Sequence, residues 1–486
     1  MDSMTAPTNQ HTTRLDRPTV IAGAPPVMPA APSPELAPAA ALTLPTTVAS
    51  RVLGTDLLAV PLAVVVCAVG LWVRHGGVSA LTKGWTLAWT SLTQVSGLLA
   101  SLVGLGGLVL VARPKIIERR VGLDTVFIWH RYLGESMAIL VGVHTFTGLA
   151  SYSEHRGWFG AISDLTGREP YMAAATIGAA LIGLVTISSL RSMRRQLSYE
   201  TWYFVHLLAY AGFAISYGHE IVLGSDFSDD TIARWFWGLL HLAVLAALVW
   251  GRWGRLVLAW RRPLHVSSTQ RLNNDTVVVH VDGPRLSSMQ VDAGQFFMLR
   301  AKRRDLWWQA HPFSLSAAPT TAGLRFTIKD KGDASRSMTA LAPGSAVVVE
   351  GPYGMGAADV FDGRKAVFVA GGVGIGPVRS MLERLDPTTE PVVLYRAHKA
   401  ADLVHLDELE QLVASRNGIV RVLIGPTAAL ARKDPFGPGS LRAVMPDIAE
   451  RSAVVCGPES LIYAASAGLK AAGIPSSRIH FERPWW

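Results

Sequence analysis

The chain has 486 residues, half of them hydrophobic and only 17% charged, with a formal net charge of +9 and two cysteines. That length implies about two to four domains, and the apolar excess sets the chain apart from an ordinary soluble protein. Cys67 and Cys456 argue against a disulfide framework or a thiolate metal site, and the arginines flank apolar segments, which argues against a nucleic-acid partner.

Residues 1–50 are rich in Pro, Ala and Thr and centre on "AGAPPVMPAAPSPELAPAAA". Proline at this density cannot sustain a helix or a sheet ladder, so a disordered tail is expected. The first apolar run begins only near residue 52, too late for a secretory h-region, so no signal peptide is expected. Six apolar segments follow, at 52–73, 86–112, 126–152, 171–190, 201–223 and 235–260. Each has roughly the 20 residues that cross a hydrocarbon core of about 30 Å. Bases gather after the second segment ("RPKIIERR"), after the fourth ("RSMRRQ") and after the sixth (Arg252, Arg255, Arg261, Arg262), whereas "GSDFSDD" at 224–230 is acidic. The positive-inside rule then places both termini in the cytoplasm, with the six helices spanning a plasma (inner) membrane over residues 51–262.

From residue 263 the pattern changes. "NDTVVVHVDG", "GQFFMLR", "LRFTIKD" and "SAVVVEGP" are short β-rich runs between Gly, Pro and Asp. They predict a small antiparallel β-barrel over 263–362. After that, "KAVFVAGG", "GPVRSMLERL", "PVVLYRA" and "DELEQLVASR" alternate strand and helix, predicting an α/β domain with a parallel sheet over 363–486.

Four of the 14 histidines form a pattern within the apolar half. His130 and His144 lie on the third segment, His206 and His219 on the fifth. At about 1.5 Å per residue the first pair is separated by about 21 Å and the second by about 19.5 Å along their helices. Both segments run from cytoplasm outward, so His130 and His206 share one depth and His144 and His219 another. Two facing imidazoles at each level are what a low-spin haem with two axial histidines needs, stacked twice. Fourteen residues return a helix to within about 40° of its starting face, but thirteen end about 140° away. The fifth helix is therefore expected to carry a π-bulge or distortion near Gly212 or Gly218. Phe213 lies between the two levels, and His241 on the sixth segment is read as structural.

The second half carries cofactor motifs. In "HPFSLSAAP", His311, Pro312, Phe313 and Ser314 suit a flavin, with Ser314 near its N5 and His311 on its ribityl or phosphate part. "KDKGDASRSM" places Lys331, Gly332 and Ser335 where a helix start suits phosphate. "VFVAGGVGIGPVRSMLERL" runs strand, turn, helix, and its Gly371, Gly372, Gly374, Gly376 and Pro377 suit a dinucleotide. Arg396, just after a later strand, favours the 2′-phosphate of NADPH, with NADH possible. Cys456, Gly457 and Pro458 end another strand near the expected nicotinamide.

Together these residues resemble the ferric reductase and NADPH oxidase superfamily, from about residue 50 onward. The carriers are the 14- and 13-residue histidine pairs, His311-Pro312-Phe313-Ser314, Gly351-Pro352-Tyr353-Gly354, "GGVGIGP" and Cys456-Gly457-Pro458. The resemblance implies an oxidoreductase that moves electrons from cytosolic NADPH through FAD and two b-type haems to an extracytoplasmic small-molecule acceptor. The expected acceptor is O₂, giving superoxide, or a ferric chelate; the alternative is a quinone or a periplasmic redox protein. Relatives commonly end on an aromatic that covers the flavin. This chain ends "HFERPWW", which makes Trp485 or Trp486 the expected cover.

Overall fold

The computed structural model describes residues 55–482, apart from 122, 225–229, 304–308, 362–363 and 427–433. The expected tail and the expected flavin cover, Trp485 and Trp486, lie outside the described residues. All six apolar segments contain helix: α1 Thr55–Arg74, α2 Trp85–Val111, α3 Leu123–Arg168, α4 Met172–Ser189, α5 Tyr199–Leu223 and α6 Thr231–Leu248. Gly157, at φ 67° and ψ 169°, breaks α3. α6 continues through a π turn, Val249–Gly254, into α7 Arg255–Arg261.

Four helical stretches are long and apolar enough to cross a membrane: Trp85–Val111, Thr125–Glu154, Met172–Ser189 and Thr231–Arg261. The apolar part of α1, Leu58–Arg74, is shorter. α5 is long enough, but Glu200, Glu220 and two histidines dilute its hydropathy. Ile139, Ile177, Leu242 and Trp250 point outward and are exposed. Such an apolar exterior calls for a lipid or partner cover.

α2 packs along α3, and α4 along α5. The second contact depends on glycines. A Cβ on Gly178 would come within 2.7 Å of the Gly212 carbonyl oxygen, and one on Gly218 within 2.6 Å of the Tyr171 ring. The expected distortion of the fifth helix is absent, since α5 is α-helical throughout. The two glycines serve close helix approach instead. The π turn lies in the sixth helix, where Gly251 backs onto Ala112.

The chain then forms a six-stranded antiparallel sheet: β1 Leu264–Arg271, β2 Thr276–Asp282, β3 Phe296–Ala301, β4 His311–Ser314, β5 Leu324–Lys329 and β6 Ala346–Tyr353, in the order β4-β3-β6-β1-β2-β5. A single bridge, Leu315 to Phe326, joins its two edges. Alternate inward residues, among them Val277, Val279, Phe297, Leu299, Phe326 and Val349, form its core.

The last layer is a parallel sheet of β7 Ala366–Gly371, β8 Val392–Ala397, β9 Ile419–Ile424, β10 Ser452–Cys456 and β11 Ile479–Glu482, ordered β11-β10-β7-β8-β9. β7 and β10 are buried along their whole length, as expected of strands covered on both faces. The chain is thus a membrane-type helical region followed by an antiparallel β domain and an α/β domain.

Candidate functional site

Two levels of paired imidazoles lie between α3 and α5. His130 and His206 have ring centres 6.1 Å apart with planes at 72°. His144 and His219 are 5.9 Å apart at 69°. Both pairs form without a bulge in α5 because neither histidine of that helix needs to point straight at α3. A divergence of about 140°, split to either side of α3, leaves both rings within side-chain reach.

Three of the four Nδ1 atoms are turned to other partners. His144 donates to the Thr93 carbonyl at 2.8 Å, His130 to the Gly107 carbonyl at 3.3 Å, and His206 Nδ1 lies 3.4 Å from Ser189 Oγ. A carbonyl acceptor keeps the proton on Nδ1 and leaves Nε2 as a lone-pair donor. His219 Nδ1 is buried without a hydrogen-bond partner.

α2 makes room for these rings. A Cβ on Gly104 would meet the Phe213 ring at 2.5 Å, and one on Gly97 would lie 2.8 Å from His144 Nδ1. Gly97→Ala is therefore expected to turn the His144 ring from its Thr93 acceptor and to weaken retention of any haem bound at that level. The check is the haem-to-protein ratio after gel filtration, with Gly106→Ala, whose Cβ meets only Leu133 at 3.4 Å, as the control.

Sequence reading missed Glu220, beside His219. Its half-buried carboxylate accepts from Ser101 Oγ at 2.9 Å and Trp237 Nε1 at 3.0 Å, and lies 3.6 Å from His241 Nε2. The available signal was an acid next to a histidine, away from the first turn of an apolar helix. His241 also donates to the Trp237 carbonyl at 2.9 Å and stacks on Phe213.

In the soluble half the structure brings three motifs together. His311–Ser314 is edge strand β4, with Phe313 opposite Phe297 and Ser314 opposite Phe296. His311 Nε2 and Ser316 Oγ are buried without hydrogen-bond partners, the sign of a missing polar ligand. Burial first, and then the Arg300 charge, hold His311 below its ordinary value against the pull of Glu200, so it is neutral at pH 7.

Helix α9, Ile375–Arg384, starts from the glycine turn after β7. A Cβ on Gly374 would lie 2.5 Å from the Cys456 carbonyl oxygen, and one on Gly376 3.3 Å from Ser316 Cβ. The glycine turn is thus held between Cys456-Gly457-Pro458 and the end of the flavin motif. Arg379 Nη1 donates to the Ser316 carbonyl and Ser380 Oγ to the Ala317 carbonyl, each at 2.9 Å. Arg396 pairs with Gly371 across β8 and β7, at the carboxyl ends of the strands where nucleotides bind such sheets. Its guanidinium donates to the Ala397 carbonyl and lies 3.4 Å from His398.

The Lys331 region is more self-contained. It opens helix α8, Asp333–Thr339. The Lys331 amide donates to Ser335 Oγ at 2.6 Å, the Gly332 amide to Asp330 at 3.1 Å, and Arg336 pairs with Asp330 at 3.0 Å.

A second charged cluster ties the two soluble layers. Glu408, on α10 Leu406–Ala414, meets Arg325 of β5 at 3.0 Å and Arg379 of α9 at 2.5 Å. Burial works to raise its carboxyl, but the His405 hydrogen bond and the two arginines outweigh burial and hold it well below the carboxylate range.

Three family models match the chain in order. They are the ferric reductase like transmembrane component at 87–217, an FAD-binding domain at 263–357 and an oxidoreductase NAD-binding domain at 368–467. An NADPH oxidoreductase of Mycobacterium tuberculosis is 32% identical over 186 residues, 36% of this chain and 48% of that protein. A probable ferric reductase transmembrane component of Candida albicans is 22% identical over 307 residues, 60% of this chain and 43% of that protein. The chain thus spans about half, or less, of these curated relatives. Among solved structures, flavohemoglobin from Malassezia yamatoensis is 17% identical with a TM-score of 0.43, covering 81% of this chain and 98% of that one.

Proposed function

We propose, for a chain that belongs to the ferric reductase and NADPH oxidase superfamily, a transmembrane oxidoreductase that takes electrons from cytosolic NADPH to an acceptor across the membrane. The carrying observation is the two levels of facing imidazoles on α3 and α5. Two metal–imidazole bonds of about 2 Å, plus roughly 1 Å from each nitrogen to its ring centre, set ring centres about 6 Å apart. The observed spacing fits an iron at each level. Among the described residues no three His, Cys, Asp or Glu side chains converge on a metal position, and a pair of imidazoles at each level suits a metal whose other ligands are those of a macrocycle.

Bound haems supply one-electron carriers, and FAD supplies the conversion of a hydride into single electrons. The chain's own residues hold and orient them. His130 with His206, and His144 with His219, would hold the two haems. His311 and Ser314 orient the flavin, with Lys331, Gly332 and Ser335 near its phosphates. Gly371 to Pro377 and Cys456 to Pro458 seat the nicotinamide nucleotide, and Arg396 favours the 2′-phosphate of NADPH. The basic residues Arg113, Arg252 and Arg255 lie at the helix ends that meet the β domain, and Asp230 pairs with Arg74 and His75, each at 3.5 Å. This charge asymmetry supports six spans with both termini in the cytoplasm. A ferric chelate is the acceptor that the ferric reductase relatives favour, and O₂ is the second.

The test adds NADPH anaerobically to the purified protein loaded with haem and FAD. The haem bands should shift to the reduced form, then recover on adding a ferric chelate or, separately, O₂. Bleached flavin with oxidised haem would sink the proposal. Faster recovery with one acceptor identifies it, and recovery with neither, only with a quinone, moves the reaction to the alternative class.

A further inference from the structure

We propose that Glu350 is a positioning residue that docks the flavin-binding sheet on the base of the membrane helices, and thereby sets the electron handover to the level of His130 and His206. The inference rests on the function proposed above. Glu350 lies on β6 and is 3% exposed. From its own sheet, Arg300 reaches its Oε2 at 2.8 Å, and the Tyr353 hydroxyl donates to Oε1 at 2.7 Å. From the membrane side, Arg113 and Arg252 bring Nη1 atoms to 3.7 and 3.9 Å of Oε1. Arg113 follows α2, and Arg252 sits in the π turn after α6. One carboxylate thus gathers arginines from three separate parts of the chain.

The joint is built around that carboxylate. Arg113 has a left-handed φ of 52°, and its carbonyl accepts from Arg255 at 3.2 Å. Its guanidinium lies over the rings of Tyr353 and Phe127, at 5.3 and 5.6 Å. Burial works to raise the Glu350 carboxyl, but Arg300, Arg113 and Arg252 outweigh burial and hold it at about 2, so it stays ionised at neutral pH. Without it, three arginines face one another with no compensating charge.

A short path links this joint to both cofactor sites. β6 pairs with β3, and β3 pairs with β4, the strand of His311–Ser314. Phe296 of β3 is opposite both Tyr353 and Ser314. It packs with Tyr353 on Leu110 of α2 and Val126 of α3, one turn before His130. Holding β6 against the helices therefore holds the flavin strand against the inner imidazole level.

The test is Glu350→Gln in the full chain loaded with haem and FAD, with two readouts. In anaerobic stopped flow, NADPH should bleach the flavin at the wild-type rate, while haem reduction slows about tenfold or more, because small misplacements of reacting groups carry large rate losses. In hydrogen exchange, residues 110–117 and 348–353 should lose protection while the parallel sheet keeps it. Glu350→Asp should restore most of the haem reduction. If Glu350→Gln does not fold, Arg252→Gln should show the same split between flavin and haem. Wild-type haem reduction in the folded variant, or an equal loss at flavin and haem, overturns the proposal. If the wild type reduces no haem, the proposed function fails instead, and the exchange measurement alone decides the docking: unchanged protection overturns it.

Discussion

On the proposed function, the wild type should hold about two haems per chain, and His144→Ala is expected to leave about one and to abolish acceptor reduction while sparing the flavin. The ring stands 5.9 Å from that of His219, and its Nδ1 is held by the Thr93 carbonyl. Alanine removes one imidazole of the pair and leaves His219, with its Nδ1 already lacking a partner. The other level, His130 and His206, shares none of these contacts. Pyridine-haemochrome quantitation against protein measures the first effect. Anaerobic flavin bleaching by NADPH, which should stay at the wild-type rate, measures the second. Unchanged haem content would remove His144 from the ligand set.

Gly374→Ala should strike the opposite end of the proposed electron path. Its Cβ would lie 2.5 Å from the carbonyl oxygen and 2.8 Å from the carbonyl carbon of Cys456, and 3.1 Å from the Gly457 amide nitrogen. These are backbone atoms of a buried strand end, and a rotamer change cannot clear them. Forcing the two loops apart costs about 1–3 kcal/mol and moves the nucleotide seat away from the flavin strand. NADPH-driven flavin bleaching should fall about a hundredfold, because the donor sits out of reach at a wrong distance. Dithionite, which needs no nucleotide seat, should still reduce flavin and haem. The dithionite control separates a damaged seat from a damaged protein; retention of wild-type NADPH kinetics would show that the loops have slack.

What was legible in the sequence follows from how each feature is encoded. The four histidines stood out because imidazole is rare in an apolar helix, and their spacing along α3 and α5 was enough to pair them. The strands β7, β8 and β10 were legible as apolar runs ending in Gly, Ala or Cys. The expected bulge in α5 was wrong because a spacing argument treats side chains as spokes, whereas a histidine can reach a neighbour from either flank. Gly212 and Gly218 were noticed but assigned to bending instead of to contact with α4. The Glu350 joint was hidden for another reason. Arg113 and Arg252 satisfy the positive-inside rule, so nothing in the sequence distinguishes a flanking charge from one that meets a buried acid across a domain boundary. Glu408 and its arginines were hidden because a charge on a helix or strand reads as solvated until its partner from another element is known.

The tie between the two soluble layers has a kinetic consequence. Arg379 on the Ser316 carbonyl, Ser380 on the Ala317 carbonyl and Glu408 on Arg325 span from the α/β domain to the flavin sheet. A clamshell opening between those domains would have to break all of them together for every turnover. These ties work against a domain swing during turnover, so a rate that does not change with added viscogen is the expected result if the two layers stay docked.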